Sequence, residues 1–134
     1  MKLLILLTIF FSNSVFASED YKCVITDVVA PVSNGKLKKA ELYKNAINQT
    51  FVVNRRTGDM AGSIKNNYVT SPVVLDYGSS ENSFKAVTIM KNDITTNIYV
   101  LTIEEFEESP KKPFVFLSNS NVYSGTCEHF SMYK

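Results

Sequence analysis

The placement of the two cysteines constrains the fold of this chain most. Cys23 lies shortly after an apolar N-terminal run, and Cys127 lies near the end of the chain. An even pair of cysteines in an exported protein is typical of a disulfide. A bridge between these positions joins the first segment of the domain to the last. We therefore expect the first and last strands to be neighbours in space.

An export signal supplies the oxidising context. Lys2 precedes an apolar run over residues 3–11, and Val15 and Ala17 place small side chains just before a charged stretch. This is the pattern of a secretory signal peptide, and the run is too short for a transmembrane helix, which needs about 20 residues. We predict a signal peptide over residues 1–17 and a single secreted β-rich domain over residues 18–134. The mature chain is expected in the periplasm or the extracellular space, without a transmembrane segment.

Charge narrows the choice of partners. The chain has 14 Lys and Arg against 13 Asp and Glu, for a formal net charge of +1, and removing the signal peptide with Lys2 brings this to about zero. A neutral domain has no long-range field with which to gather nucleic acid. We expect a monomer that binds no nucleic acid and whose partner is an unknown protein or envelope polymer.

Short apolar runs separated by turn residues predict about seven or eight strands. The clearest hairpin joins residues 84–90 to residues 94–103, and Pro72 makes residues 68–77 an edge strand or a bulged one. Residues 36–47 fit a helix and a polar edge strand equally well. The expected fold is mostly β: a small antiparallel β-barrel or flattened β-sandwich with at most one short helix, its first and last strands joined by the disulfide.

Catalytic motifs are missing from the sequence. There is one histidine, His129, and neither a HExxH nor a GxSxG motif nor a phosphate-binding glycine-rich loop. Two cysteines and one histidine also make a poor metal shell, so we predict no metal and no cofactor. The favoured function is a non-catalytic binding module that recognises a protein or surface polymer. The alternatives are a carrier of small apolar ligands with a hollow barrel and a hydrolase with an unrecognised site.

Two charged turns are the predicted places of partner contact. Arg55 and Arg56 stand with Asp59 at a predicted hairpin turn, and Glu104 and Glu105 open an acidic turn. Both segments begin where the apolar pattern stops, so we expect their side chains to be in water at separate loops. Three tyrosines near predicted turns are expected to line a ligand mouth or an interface: Tyr68, Tyr77 and Tyr123.

In size, export, β content and disulfide, the chain resembles the small periplasmic lysozyme inhibitors. Ser124-Gly125 matches one short piece of those proteins, and the residues that follow depart from their pattern. The resemblance implies that the binding module is an inhibitor. It assigns no residue a role.

Overall fold

Alternating apolar and polar residues form strands close to where the sequence predicts them, and polar turns reverse the chain between them. The predicted strand over residues 68–77 is extended only from Val73 to Tyr77. The structure, a computed structural model, describes residues 19–131. The predicted signal peptide, its cleavage site and Ser18 lie outside the described residues. The strands are β1 (Asp20–Pro31), β2 (Leu37–Lys39), β3 (Thr50–Val53), β4 (Met60–Gly62), β5 (Val73–Tyr77), β6 (Phe84–Lys91), β7 (Thr96–Ile103), β8 (Lys112–Ser118) and β9 (Asn121–Phe130), with a 3-10 helix over Glu41–Ala46.

The nine strands of residues 19–131 form one antiparallel sheet that curls into a half-barrel. Their order across the sheet is β4-β3-β1-β9-β8-β7-β6-β5, and β2 pairs with β1 beside this path. The predicted fold class is therefore confirmed. The segment interrupted by Pro72 becomes β5, which is an edge strand as predicted.

The disulfide joins the first and last strands, as the cysteine placement predicted. Cys23 on β1 lies directly opposite Cys127 on β9 in the strand register, and the two are bonded. Closing a loop of this length lowers the entropy of the unfolded chain by the equivalent of about 4–5 kcal/mol in the chain-entropy model. The disulfide thus fixes the pairing of β1 with β9, here called the seam, and the other strands extend the sheet on both sides of this pair.

The concave face of the half-barrel is filled with side chains. Its largest buried members are Tyr21, Phe51, Phe84, Phe114, Phe116, Ile25, Met60, Leu101 and Ile103. On β6 the burial alternates, with Phe84, Ala86 and Thr88 turned inward. A packed interior of this kind weighs against the carrier, which needs a hollow barrel.

Residues 36–47 combine both of the structures that the sequence left open. Leu37–Lys39 form the short strand β2 against Val29–Pro31, and the 3-10 helix follows at once. None of the helical residues is buried. Only a small apolar surface of the segment, with Ala40, Ala46 and Ile47 partly buried, packs against the core, which does little to stabilise a longer helix.

The turn between β3 and β4 packs against β5 and β6, which lie at the opposite edge of the sheet. Gly58 has a φ of +79°, and a Cβ there would lie 3.1 Å from Ala86 Cβ and 3.2 Å from Val74 Cγ2. The buried Asn66 holds this turn, because its amide donates to Gly58 O and its Oδ1 accepts from the Met60 N–H. The turn thereby brings Arg55 towards β5. Within residues 19–131, no helix is long and apolar enough to cross a membrane.

Candidate functional site

The strand register places two different groups of side chains at the two ends of the half-barrel. Tyr21 lies opposite Val53 and His129, whereas Val29 lies opposite Lys39 and Val122. The first end, here called the polar end, carries the β3–β4 turn and the connection after β7. The second end, here called the tyrosine end, carries β2, the 3-10 helix and the β6–β7 turn.

Four side chains meet at the polar end and are called the polar cluster: Tyr21, Arg55, Glu105 and His129. The Tyr21 hydroxyl donates to Glu105 Oε2 at 2.8 Å. His129 Nε2 lies 2.8 Å from Glu105 Oε1, and Arg55 Nη1 lies 3.8 Å from the same oxygen. The Arg55 and Glu105 side chains are each 11% exposed. Glu105 is therefore the centre of the cluster, and both of its oxygens are engaged.

Arg55 also connects β1 to β5. Its Nε and Nη2 donate to the carbonyl oxygens of Tyr77 and Gly78 at 2.8 and 2.9 Å, and its guanidinium lies 5.3 Å from the centre of the Tyr21 ring. The main-chain N–H of Arg55 donates to Asp20 Oδ1 at 2.9 Å. These bonds fasten the β3–β4 turn to the edge strand, so they close the half-barrel at the polar end.

The expectation that the charged turns stand in water at separate loops was wrong for Arg55 and Glu105. The curl of the sheet brings the two turns together, and the two side chains face each other instead of the solvent. Asp59 is engaged within its own turn, accepting from Thr57 Oγ1 at 2.7 Å. Glu104 is half-buried, whereas Arg56 is exposed as expected. Contact of these residues with a partner stays a prediction.

Burial raises the pKa of the Tyr21 hydroxyl, and its hydrogen bond to Glu105 raises that pKa further. Ionising this phenol would place a negative charge in the protein interior beside a carboxylate. Tyr21 therefore remains a neutral hydrogen-bond donor to Glu105. The bond between them stabilises the fold.

His129 is held between two carboxylates. Its Nε2 faces Glu105, and its Nδ1 lies 3.5 Å from Glu19 Oε2. A general base must direct one ring nitrogen at a nucleophile, and both nitrogens of His129 are directed at carboxylates instead. This arrangement gives no support to the hydrolase alternative. Residues 19–131 also contain no group of three or more acidic, His or Cys side chains placed to hold a metal ion.

A cleft of about 300 Å³ opens at the tyrosine end. Its walls and floor come from the 3-10 helix, the connection after β4, β8 and β9. Its lining residues are Leu42, Tyr43, Asn45, Ala46, Ser63, Ile64, Lys65, Tyr68, Phe116, Ser118 and Tyr123. Tyr43 is 40% exposed and Tyr68 is 62% exposed. The two tyrosines that form the walls of the cleft therefore expose their rings to a ligand.

A row of aromatic contacts fixes the cleft from below. Tyr43 meets Tyr123 edge to face, with ring centres 6.2 Å apart, and Tyr123 packs on Phe116 at 5.9 Å. On the other side Tyr68 packs on Tyr99 at 5.9 Å, and Tyr99 stacks on Phe116 at 6.2 Å. Each exposed wall thus rests on buried rings, which holds the walls in place before anything binds.

Burial raises the pKa of the Tyr123 hydroxyl, and the neighbouring phenols of Tyr43 and Tyr68 raise it further. Burial also raises the pKa of Tyr99, next to Tyr68. These hydroxyls are accordingly neutral groups able to donate and accept hydrogen bonds. The cleft combines aromatic faces with neutral polar groups and with one cation, Lys65, among its lining residues.

No protein-family model, curated protein or solved structure matches this chain. The resemblance to lysozyme inhibitors therefore gains no support from the comparisons.

The sequence located part of this cleft. Tyr68 and Tyr123, two of the three tyrosines that the sequence singled out near predicted turns, line the cleft, whereas Tyr77 lies at the polar end. A role of these tyrosines in binding stays a prediction. Tyr43 was missed as a site residue, because it belongs to the segment whose structure the sequence left open. No signal in the sequence marked Tyr43 as a residue of a cleft.

Proposed function

We propose that this protein is an exported, non-catalytic binding module that recognises another protein by taking one projecting side chain into the tyrosine-lined cleft. The observation that carries the proposal is the pair of exposed tyrosine walls, Tyr43 and Tyr68, resting on buried rings. Export rests on the predicted signal peptide over residues 1–17. The disulfide is compatible with an oxidising compartment.

The lining of the cleft favours a protein as the partner. Its tyrosines are accompanied by Asn45, Ser63 and Ser118. Tyrosine, serine and asparagine dominate the binding loops of antibodies, because tyrosine gives a large amphipathic contact area at low entropic cost and the small polar residues adapt their hydrogen bonds. Tyrosine is also common among the residues that dominate binding energy at protein interfaces.

The size of the cleft favours a single side chain over a bound small molecule. Sites for small molecules span about 300–1,000 Å³ and enclose most of their ligand. This cleft lies at the lower limit with about 300 Å³, and one of its walls, Tyr68, is 62% exposed. One large side chain of a partner fits that volume.

Site-specific photo-crosslinking tests the proposal. Benzoylphenylalanine is placed at position 43 or 68 in cells that export the protein, with position 77 as the matched control, since Tyr77 is 57% exposed but lies at the polar end. We expect one discrete adduct from positions 43 and 68, sensitive to protease, and none from position 77.

Two results would contradict the proposal. Adducts of equal yield from all three positions, or none from positions 43 and 68, would show that the cleft is not the contact. If adducts form only at positions 43 and 68 but protease does not remove the mass attached to this chain, the partner is an envelope polymer. The proposal of a protein partner would then be wrong.

A further inference from the structure

The three most exposed large apolar side chains of the described residues all lie on connections at the tyrosine end. Ile94 is 95% exposed, Leu42 is 92% exposed and Val69 is 86% exposed. Single exposed aliphatic residues are ordinary on protein surfaces. Three nearly bare ones at the same end of one small domain form a pattern, and they are called the aliphatic tips.

The register and the ring contacts place the tips at this end. Leu42 lies in the 3-10 helix that follows β2 and lines the cleft. Ile94 lies in the turn between β6 and β7, beyond the last pair of that hairpin, Lys91 opposite Thr96. Val69 follows Tyr68, which forms a wall of the cleft. The tips therefore come from three separate connections around the mouth of the half-barrel.

Exposed lysines accompany the tips. They are Lys36, Lys38 and Lys39 on and before β2, Lys44 in the 3-10 helix, Lys65 in the lining of the cleft, and Lys91 at the end of β6. Lys39 is paired with Asp27 at 2.6 Å, and within residues 19–131 the other five lysines form no ion pair with a carboxylate. The acidic connection after β7 lies at the opposite end. Glu41 in the 3-10 helix and Asp93 in the β6–β7 turn are exposed acids at the tyrosine end, so with Asp27 three acids stand against the six lysines. A domain with almost no net charge thus has one end on which cations outnumber anions.

We propose that the tyrosine end docks on the surface of an anionic membrane, with the aliphatic tips entering the interface and the lysines facing the lipid headgroups. Lysines near a membrane surface are attracted by its negative potential, and exposed apolar groups gain free energy when they enter the boundary between headgroups and acyl chains. The two attractions have different ranges. The lysines are attracted to the anionic surface from a distance, whereas the aliphatic tips gain free energy only once they enter the lipid interface.

The separation of the tips favours a membrane over a protein as the surface they meet. A partner protein would need three apolar depressions in matching positions, because the tips stand on three different connections. The lipid interface is fluid and accepts an apolar side chain at any point. This inference does not depend on what occupies the cleft. Because Leu42 belongs both to the tips and to the cleft lining, the cleft would open towards the membrane, and its partner would then be held at that membrane.

Vesicle binding tests the docking surface directly. The secreted, disulfide-bonded protein is sedimented with vesicles of phosphatidylcholine alone or of phosphatidylcholine mixed with phosphatidylglycerol. We expect at least about tenfold tighter binding to the anionic vesicles, and a loss of most of that difference when salt is raised to about 0.5 M, where charges are screened beyond about 4 Å. Equal binding to both vesicle types, or binding to neither, would overturn the proposal.

Charge reversal locates the surface. The variant Lys38→Glu/Lys44→Glu/Lys91→Glu is expected to lose at least about tenfold in binding to anionic vesicles. Its matched control makes the same change in net charge with exposed residues outside the docking surface, as Lys22→Glu/Arg56→Glu/Lys111→Glu. A control that binds as weakly as the test variant would show that net charge matters and the tyrosine end does not.

Substitution of the tips separates insertion from simple charge attraction. Leu42→Ser combined with Ile94→Ser is expected to weaken vesicle binding about fivefold or more, whereas Leu75→Ser, which changes an aliphatic residue that is 65% exposed on β5, leaves it unchanged. Unaltered binding of the Leu42→Ser/Ile94→Ser protein would contradict the role of the tips. Leu42 also lines the cleft, but vesicle binding is measured without a protein partner, and these variants leave Tyr43 and Tyr68 intact, so failure here and failure of the photo-crosslinking experiment are distinguishable.

Discussion

The two ends of the half-barrel use polar and aromatic side chains in opposite ways. At the polar end, Arg55 and Glu105 are almost completely withdrawn from solvent, and their polar atoms are engaged by other parts of the same chain. At the tyrosine end, Tyr43 and Tyr68 remain substantially exposed around an open cleft. From the number of charged residues alone, one would have predicted that a partner binds at the polar end.

The comparison shows that the bonding of a side chain decides whether it is available, more than its chemical type does. A guanidinium that already donates to two carbonyl oxygens and lies over an aromatic ring has little left to offer a ligand. The polar cluster therefore acts as a closure of the fold, and the cleft is the better candidate for recognition. Substitutions at each end test this division of roles.

Removing the centre of the polar cluster should have the largest effect on stability. Glu105→Ala leaves the Tyr21 hydroxyl and the Arg55 guanidinium without their acidic partner in a nearly buried site, and we expect a loss of about 2–3 kcal/mol in the free energy of unfolding. Urea denaturation measures it. The control is Glu108→Ala, an exposed position in the same connection, with an expected change within about 0.5 kcal/mol. Equal small losses in both variants would show that the two ends do not differ as described.

Removing the Tyr21 hydroxyl should have a smaller effect that depends on pH. Tyr21→Phe keeps the ring contacts and deletes the bond to Glu105, so we expect a loss of about 1 kcal/mol at neutral pH. The pKa of this hydroxyl is raised above its ordinary value of 10.0 in the folded protein. The stability it contributes is therefore present below pH 10 and is lost as pH rises above that value.

The pH dependence distinguishes this bond from a general effect of the substitution. Denaturation midpoints of the wild type are expected to fall between about pH 9 and pH 11, and the fall should be shallower in Tyr21→Phe. Some of the slope should persist, because the pKa values of Tyr99 and Tyr123 are raised as well. Identical slopes in the wild type and Tyr21→Phe would mean that the buried Tyr21 hydroxyl does not contribute to the alkaline response.

The smallest change in stability is expected at the tyrosine end. Tyr68→Ser removes a ring that is 62% exposed, so we expect a loss of about 0.5 kcal/mol or less. The same substitution should abolish the adduct formed by a photo-crosslinker placed at Asn45 in the cleft lining. A large loss of stability with an undiminished adduct would reverse the roles that we assign to the two ends.

Much of the fold was predictable because its signals are local. The hairpin of β6 and β7 follows from alternating apolar residues on either side of a polar turn, and Pro72 marked the edge strand. The polar cluster was not predictable in the same way. Tyr21 and Glu105 are 84 residues apart, and nothing near either residue indicates the other. Their contact depends on how strongly the sheet curls.

The sequence by itself determined the antiparallel strands and the seam between the first and last of them. Strand periodicity is a property of neighbouring residues, and a chain with two cysteines can form only one disulfide within itself. Only the tertiary structure decided which charged side chains bond to each other across the half-barrel and which tyrosine rings remain exposed to solvent. Exposure depends on the packing of distant segments, and in this protein the curl of one sheet buries Arg55 against Glu105 while it leaves Tyr43 and Tyr68 at the surface.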